Sequence, residues 1–318
     1  MVTGATGYLD SVLVAVLADE GRDVRAVVRD EALARRILPA GVEIVVGDIT
    51  DGAAMQRAAA GCAGVLHVAA TVGGTPDEIR TANVDGARTV LAAARAAGVE
   101  RFVFTGTGAA LMDASGLIAE HPLAPPALTD AYSASKVEAE ALVLAADGIY
   151  GVVASPVCIY GPSPRGPVSY NGLLRAAAAG DVREIVDAPV GWVLAEDAAR
   201  GHLLALDHGE RGKRYVLCGE VAGFGSVLHA YADAVGGRRV RLLPPGSDLG
   251  PDAGTFARRS EVYGRFPPVR VDDAQARALG FRPRGVAEGV ALTARWCRLP
   301  DQPPNAPVPA TPWDRRHR

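Results

Sequence analysis

Apolar residues in the first half of the chain gather into short runs rich in valine and isoleucine, and alanine-rich stretches with polar residues at helical spacing separate them. The runs Asp23–Val28, Val42–Val46, Gly64–Val68, Arg101–Thr105 and Gly151–Ile159 read as strands. Between them, Leu9–Glu20, Ala53–Ala60, Asn83–Ala97 and Asp130–Ala146 read as helices. Strands that are apolar on both faces, joined by helices, predict an α/β fold with a doubly wound parallel sheet covered on both sides. A ligand then belongs beyond the carboxyl ends of the strands.

After Gly161-Pro162 the pattern loosens into a loop and two helices, around Asn171–Ala179 and at Ala195–Asp207. From about Tyr215 onward, strand and helix fragments mix with loops rich in proline and glycine. Residues 1–160 are therefore expected to form the parallel-sheet core, which the motifs below mark as dinucleotide-binding. Residues 161–298 are expected to form mainly a smaller C-terminal substrate-binding lobe, some of whose segments return to the core. The stretch 299–318 (LPDQPPNAPVPATPWDRRHR) is too proline-rich for helix or strand and is expected to be a flexible tail.

The 318 residues, 49% of them hydrophobic, are ample for a large core, and a formal charge of −3 creates no field that would attract nucleic acid or an anionic membrane. Cys62, Cys158, Cys218 and Cys297 are far apart and show no zinc-ligand spacing, so no metal is expected. Small core cysteines of this kind, with no signal-peptide pattern and no run long enough to span a bilayer, suggest the cytoplasm.

Lysine occurs only at 136 and 213, whereas arginine supplies nearly every other cation. Lys136 stands four residues after Tyr132 on a predicted helix, so the two side chains share a face. An ammonium beside a phenol favours the phenolate, and such a tyrosine can donate a proton to a carbonyl or take one from an alcohol. Residues 2–10 (VTGATGYLD) place Gly4 and Gly7 directly before the first helix, where backbone and helix N-terminus can receive a pyrophosphate. The second strand ends in Arg29, which favours the 2′-phosphate of NADP over the bare ribose of NAD; an Arg29–Asp30 surface turn is the structural alternative. Asp48 ends the third strand, within reach of an adenine amino group.

With the glycine loop, Arg29, Asp48, Thr107, Tyr132 and Lys136 in order, the chain resembles the extended short-chain dehydrogenase/reductases. It is most similar to their dihydroflavonol-reductase and 3β-hydroxysteroid-dehydrogenase-like branch. The resemblance runs from about residue 2 to 297 through VRAVVRD, VVGDITD, GVLHVAA, ANVDGARTVLAAA, RFVFTGT, YSASK, SPVCIYGP, VLAEDAARGHLLAL and LGFRPRGVAEGV. It implies a Rossmann fold with Tyr132 as acid/base, Lys136 holding the nicotinamide ribose and depressing the tyrosine pKa, and Thr107 bonding the substrate carbonyl. The implied cofactor contacts are Thr3, Gly4, Thr6, Gly7, Tyr8, Leu9, Arg29, Asp48, Ile49, Ala69, Ala70, Asn83, Thr105, Lys136 and Pro156. A homodimer through the helices at Asn83–Ala97 and Asp130–Ala146 is implied as well.

Three departures qualify this resemblance. Asp10 stands where the family loop has its third glycine, the first strand is very short, and Thr105-Gly106-Thr107 replaces a longer run of hydroxyl residues. The leading expectation is an NADPH-dependent reductase of a small to medium, apolar or aromatic ketone or aldehyde, with Val190, Trp192 and Leu194 lining its pocket or Trp192 in the core. A nucleotide-sugar epimerase or dehydratase remains open, with Arg165, Arg175 or Arg183 as the diphosphate grip. So does a dehydrogenase-like binding protein impaired in cofactor binding.

Overall fold

The structure, a computed structural model, describes residues 1–298. The proline-rich tail expected at 299–318 lies outside the described residues. The first half runs β1 (Val2–Thr3), α1 (Tyr8–Asp19), β2 (Arg25–Val28), α2 (Glu31–Ile37), β3 (Glu43–Val46), α3 (Gly52–Ala59) and β4 (Gly64–His67). It continues through α4 (Pro76–Arg80), a π-helical turn at Thr81–Asp85, α5 (Gly86–Ala96), β5 (Arg101–Thr105), a tight turn at Gly108–Ala110, β6 (Leu117–Ala119) and α6 (Ala131–Leu144). The second half adds β7 (Tyr150–Pro156), β8 (Cys158–Tyr160), α7 (Tyr170–Ala179), β9 (Glu184–Val186), β10 (Pro189–Leu194), α8 (Ala195–His208) and β11 (Arg214–Leu217). Last come β12 (Glu220–Gly223), α9 (Phe224–Val235), β13 (Arg241–Leu243), α10 (Thr255–Tyr263), β14 (Arg270–Asp272), α11 (Ala274–Ala278) and α12 (Val286–Arg298).

Seven strands form one sheet in the order β11-β7-β5-β4-β1-β2-β3, and every neighbouring pair is parallel. Side chains alternate between its faces. Ala26, Val28, Leu66, Val103 and Val152 pack under α1 and α8, while Val27, Val65, Phe102, Phe104 and Val153 pack under α3, α5 and α6. This is the doubly wound Rossmann arrangement, whose strand order reverses between β1 and β4 and opens a crevice there.

β1 has only two residues, yet it is paired on both sides: Val2 faces Ala26 and Leu66, and Thr3 faces Val27 and His67. Outside those residues, the Met1 amine donates to the Gly64 carbonyl at 2.8 Å and the Leu66 N–H to the Met1 carbonyl at 2.9 Å. The short first strand is thus held on both sides despite its length.

The single strand expected at Gly151–Ile159 is divided in the structure. β7 ends at Pro156, which has no N–H to extend the ladder, and β8 pairs instead with β10 in a three-stranded sheet of the lobe. The lobe has its own core, in which Trp192 meets Tyr160, Tyr170 and Phe224 edge-on at centroid distances of 5.9, 5.3 and 5.2 Å. Because β10 alternates, Val190, Trp192 and Leu194 all face this core, and only Gly191 of the strand faces the cavity described below. The expectation that those three residues line the pocket is therefore corrected. β11, α8 and α11 return to pack with the central sheet.

Trp192→Ala should cost about 3–5 kcal/mol in unfolding free energy measured by urea titration, the usual price of emptying an aromatic core position. Trp192→Phe should recover most of that loss and leave ligand affinity unchanged; a changed ligand affinity would place Trp192 at the cavity after all.

Candidate active site

A cavity of about 1240 Å³ follows the carboxyl ends of the strands. It runs from Arg29 and Asp48 at one end, beneath the loop Gly4–Leu9 and past Ala69–Thr71, to Tyr132 and a lobe wall made by Tyr170, Phe256, Arg259 and Tyr263. Of the residues expected to hold a cofactor, Gly4, Thr6, Gly7, Tyr8, Leu9, Arg29, Asp48, Ile49, Ala69, Ala70, Thr105 and Pro156 line it. Thr3, Asn83 and Lys136 do not.

Gly4 adopts φ +68°, and a Cβ there would stand 2.8 Å from the Ala69 Cα, so only glycine fits. The Gly7 N–H closes the turn on the Gly4 carbonyl at 2.7 Å, and α1 starts with no side chain capping its first N–H groups. This is an anion site in outline. Asp10 alters it. Its carboxyl folds back over the loop, 2.7 Å from the Cβ position of Gly4 and closer still to that of Gly7, so both glycines make room for it. Asp10 is buried, and that burial pushes its carboxyl up to about 7, against the opposing pull of its own backbone N–H and of Lys136.

Thr3 is wholly buried behind the loop. Its hydroxyl oxygen accepts the Val68 and Ala69 N–H groups at 3.2 and 3.3 Å and pairs with His67 Nδ1 at 2.8 Å, so it positions the loop after β4 and does not contact the cavity. Asn83 works in the same way. Its side chain takes the Thr71 N–H at 2.7 Å and donates at 2.9 Å to both the Thr71 carbonyl and the Ser135 hydroxyl, which tethers that loop to α6. The Tyr8 hydroxyl donates to the Gly161 carbonyl at 2.8 Å and accepts from Asn171 Nδ2 at 2.8 Å, which clamps the glycine loop to the lobe.

Arg29 is exposed at the end of β2. Asp30 does not pair with it; the Asp30 carboxylate caps α2, accepting the Leu33 N–H at 2.9 Å. Asp48 accepts the Thr50 N–H and hydroxyl through one oxygen, at 2.9 and 2.7 Å, and these bonds hold its carboxyl below the usual range. The strand ends therefore present a guanidinium and a carboxylate together at one end of the cavity.

Tyr132 lines the cavity at the start of α6, which Asp130 caps by accepting from the Ser133 N–H and hydroxyl at 3.2 and 2.8 Å. Burial pushes the Tyr132 phenol up to about 12 against the pull of the Arg259 guanidinium; Asp130 adds to the rise and the nearby Thr107 hydroxyl opposes it. The Thr107 oxygen accepts the Ala109 N–H at 3.3 Å, which leaves its hydrogen free to donate into the cavity. Thr105 is spent inward. His202 Nδ1 donates to the Ala198 carbonyl at 2.7 Å, so its Nε2 takes the Thr105 hydroxyl hydrogen at 3.0 Å.

Lys136 corrects an expectation. Although it shares a helix face with Tyr132, its stem runs inward, it is 2% exposed, and its Nζ lies 4.3 Å from the centre of the Phe104 ring. Burial pushes its ammonium down to about 8, opposed by the carboxylates of Glu140 and Asp10. A second cation, Arg259 on α10, also faces this end of the cavity and pulls on the Tyr132 phenol. Sequence reasoning missed Arg259, Phe256, Tyr170 and Tyr263, which lie among irregular segments without a motif. A single signal was present: Thr255, Phe256, Arg259, Val262 and Tyr263 recur at helical spacing, and all of them line the cavity. Of the three arginines weighed for a diphosphate, Arg165 lines the cavity and Arg175 and Arg183 do not. Among the described residues no group of histidine, cysteine or carboxylate side chains could hold a metal ion, and no helix is long and apolar enough to cross a membrane.

Comparison with known proteins agrees with this geometry. Residues 1–218 match the profile of the NAD dependent epimerase/dehydratase family. The chain is 33% identical over 256 residues to sterol demethylase protein B of Methylococcus capsulatus, covering 77% of each protein. It is 34% identical over 233 residues to a putative dihydroflavonol 4-reductase of Synechocystis, covering 68% of this chain and 66% of that one. Among solved structures it resembles MoeE5 in complex with UDP-glucose and NAD, with a TM-score of 0.74 and 26% identity over 93% of this chain and 97% of that one.

The glycine loop and the strand ends fit a dinucleotide, and the Asp10 carboxyl lying over that loop opposes its phosphates. An ionised carboxylate about 4 Å from a phosphate costs about 1–4 kcal/mol, a loss of about ten- to a thousandfold in affinity. Asp10→Gly should therefore tighten dinucleotide binding, followed by fluorescence titration, by about that factor at pH 8. The carboxyl holds its proton better in the buried site than in the unfolded chain. Its ionisation accordingly weakens both fold and binding as pH rises through about 7, so the gain over native should shrink at pH 6. Asp10→Asn should be nearly flat over the same range. An affinity that ignores both substitutions would mean that the carboxyl swings clear of the phosphates.

Proposed function

The chain belongs to the NAD dependent epimerase/dehydratase family, as an NAD(P)-dependent oxidoreductase of the extended short-chain dehydrogenase/reductase type, and from that premise we propose that it is an NADPH-dependent carbonyl reductase. The observation that carries this reading is the meeting of Tyr132 and Thr107, both able to donate a hydrogen bond, where the dinucleotide arm of the cavity joins the lobe. When bound, the reduced nicotinamide supplies a hydride to the carbonyl carbon. Thr107 then holds the carbonyl oxygen, and Tyr132 gives it the proton that completes the alcohol. A phenol held near 12 stays protonated at neutral pH, as a donor must. The wall of Ile118, Val157, Tyr170, Phe256, Val262 and Tyr263 suits an apolar or aromatic molecule. Choice of NADPH rests on Arg29, whose guanidinium has no bond to Asp30 and can pair with a 2′-phosphate.

A second reading has its own observation. Asp10 in the glycine loop and Lys136 beneath the cavity floor are what a chain impaired in cofactor binding would carry.

Tyr132→Phe should lower turnover by about two orders of magnitude or more while leaving dinucleotide affinity almost unchanged. Near-native turnover would remove Tyr132 from the chemistry. Arg29→Ala should weaken NADPH about 10- to 100-fold and NADH little, since only the phosphate contact is lost. Equal losses for the two nucleotides in a binding titration would end the assignment of NADPH.

A further inference from the structure

Arg259 is the cation of the substrate arm, and it lacks a partner that would satisfy it. It sits in the middle of the α10 face that lines the cavity, with Phe256, Val262 and Tyr263 around it. Its side chain is one quarter exposed, and its ion pair is a 3.7 Å approach to Asp130. That carboxylate accepts the N–H and hydroxyl of Ser133 at the cap of α6, and its 3.7 Å approach is beyond hydrogen-bond distance, so it leaves the five donors of the guanidinium without a bond to it. The other influences on Arg259 are burial and the neutral groups Tyr263, Tyr170 and Cys158. The neighbouring Arg258 is already engaged: its guanidinium donates to the Gly250 and Pro251 carbonyls at 2.7 Å and approaches Glu261 at 3.7 Å. Arg165 is exposed. One half-buried guanidinium in an apolar wall is matched by one negative charge on an otherwise apolar molecule. A diphosphate would need several cations at that depth.

Resting on the reductase reading, we propose that Arg259 binds the carboxylate of an oxo acid, so that the substrate is an apolar-tailed 2- or 3-oxo acid whose ketone lies at Tyr132 and Thr107. Arg259, Tyr132 and Thr107 line the same cavity, and the Arg259 guanidinium comes within 3.7 Å of Asp130, two residues before Tyr132, which places a carboxylate on Arg259 a short chain length from the reacting carbonyl. Reduction adds a hydride to the ketone carbon and a proton to its oxygen, giving the hydroxy acid, while NADPH is oxidised to NADP and the carboxylate is unchanged. Arg259 is thereby the residue that sets specificity.

The test compares 3-oxooctanoate with its methyl ester, which share a skeleton and differ in charge. Binding is followed by calorimetry without cofactor and turnover by NADPH oxidation. The native protein should favour the acid by about 10- to 100-fold in both, the scale of a hydrogen bond between charged groups. In Arg259→Leu the acid-to-ester ratio should fall to near one, and Arg259→Lys should recover part of it. Circular dichroism and the melting temperature show whether each variant is folded; if Arg259→Leu is not, the native acid-to-ester ratio and the lysine variant decide. A native ratio near one, or a ratio that survives in Arg259→Leu, overturns the proposal even where both compounds are reduced. Binding that prefers the acid through Arg259 but gives no NADPH oxidation supports the anion site and removes the reductase reading instead. Tight binding of UDP-glucose that depends on Arg259 and displaces the acid overturns it in favour of a sugar diphosphate.

Discussion

The whole site depends on a two-residue strand. β1 pairs with both halves of the sheet at the reversal of strand order, and the crevice exists because β2 leaves it on one side and β4 on the other. Two residues supply few ladder bonds, so side-chain bonding carries more of the load than in a long strand. The Thr3 hydroxyl supplies it, gathering the Val68 and Ala69 N–H groups and His67 into one buried knot. Ala69 then lies so close to Gly4 that no side chain fits between them. Loss of that knot would separate the glycine loop from the loop after β4, and these are the two walls of the cavity at its midpoint.

A second tie sets the relation between sheet and lobe. Tyr8 leaves the glycine loop and bonds to Gly161 and Asn171, while Ser163 donates to the Tyr8 carbonyl at 3.0 Å. The dinucleotide arm and the substrate arm are thus fixed to each other by groups next to the phosphate loop. Burial holds the Tyr8 phenol well above its ordinary range, so it remains a donor at every working pH. A bond of this kind transmits position without transmitting charge.

The sheet was legible because parallel strands announce themselves as apolar runs, and the predicted boundaries fall within a few residues of β2, β3, β4 and β5. The glycine loop, Arg29, Asp48, Thr107 and Tyr132 were legible because their spacing is tied to strand ends. Lys136 shows the limit of that reasoning. Helical spacing places it beside Tyr132, but the direction of a long side chain depends on what it can pack against, and Phe104 and two carboxylates draw it inward. Trp192 shows another limit, since period-two alternation says which residues share a face and not which face meets a cavity. Arg259 was hidden for a different reason. The Asp130 carboxylate it approaches caps α6, more than a hundred residues earlier, and no local pattern records such a meeting.

The two arms of the cavity differ in how well their charges are matched, and this bears on the order in which they fill. In the dinucleotide arm a buried carboxyl occupies the phosphate loop, held near neutrality by burial, and its electrostatic counterpart is an ammonium that is itself only partly stable as a cation. A second anion arriving at the loop favours the protonated carboxyl, so the loop can accept phosphate by taking up one proton and need not rearrange its backbone. In the substrate arm the guanidinium cannot shed its charge, and beyond its 3.7 Å approach to Asp130 it has donors to offer an incoming anion. Charge adjustment therefore falls to the cofactor end of the cavity and selectivity to the lobe end, with Tyr132 between them, its phenol kept protonated by burial in spite of the cation nearby.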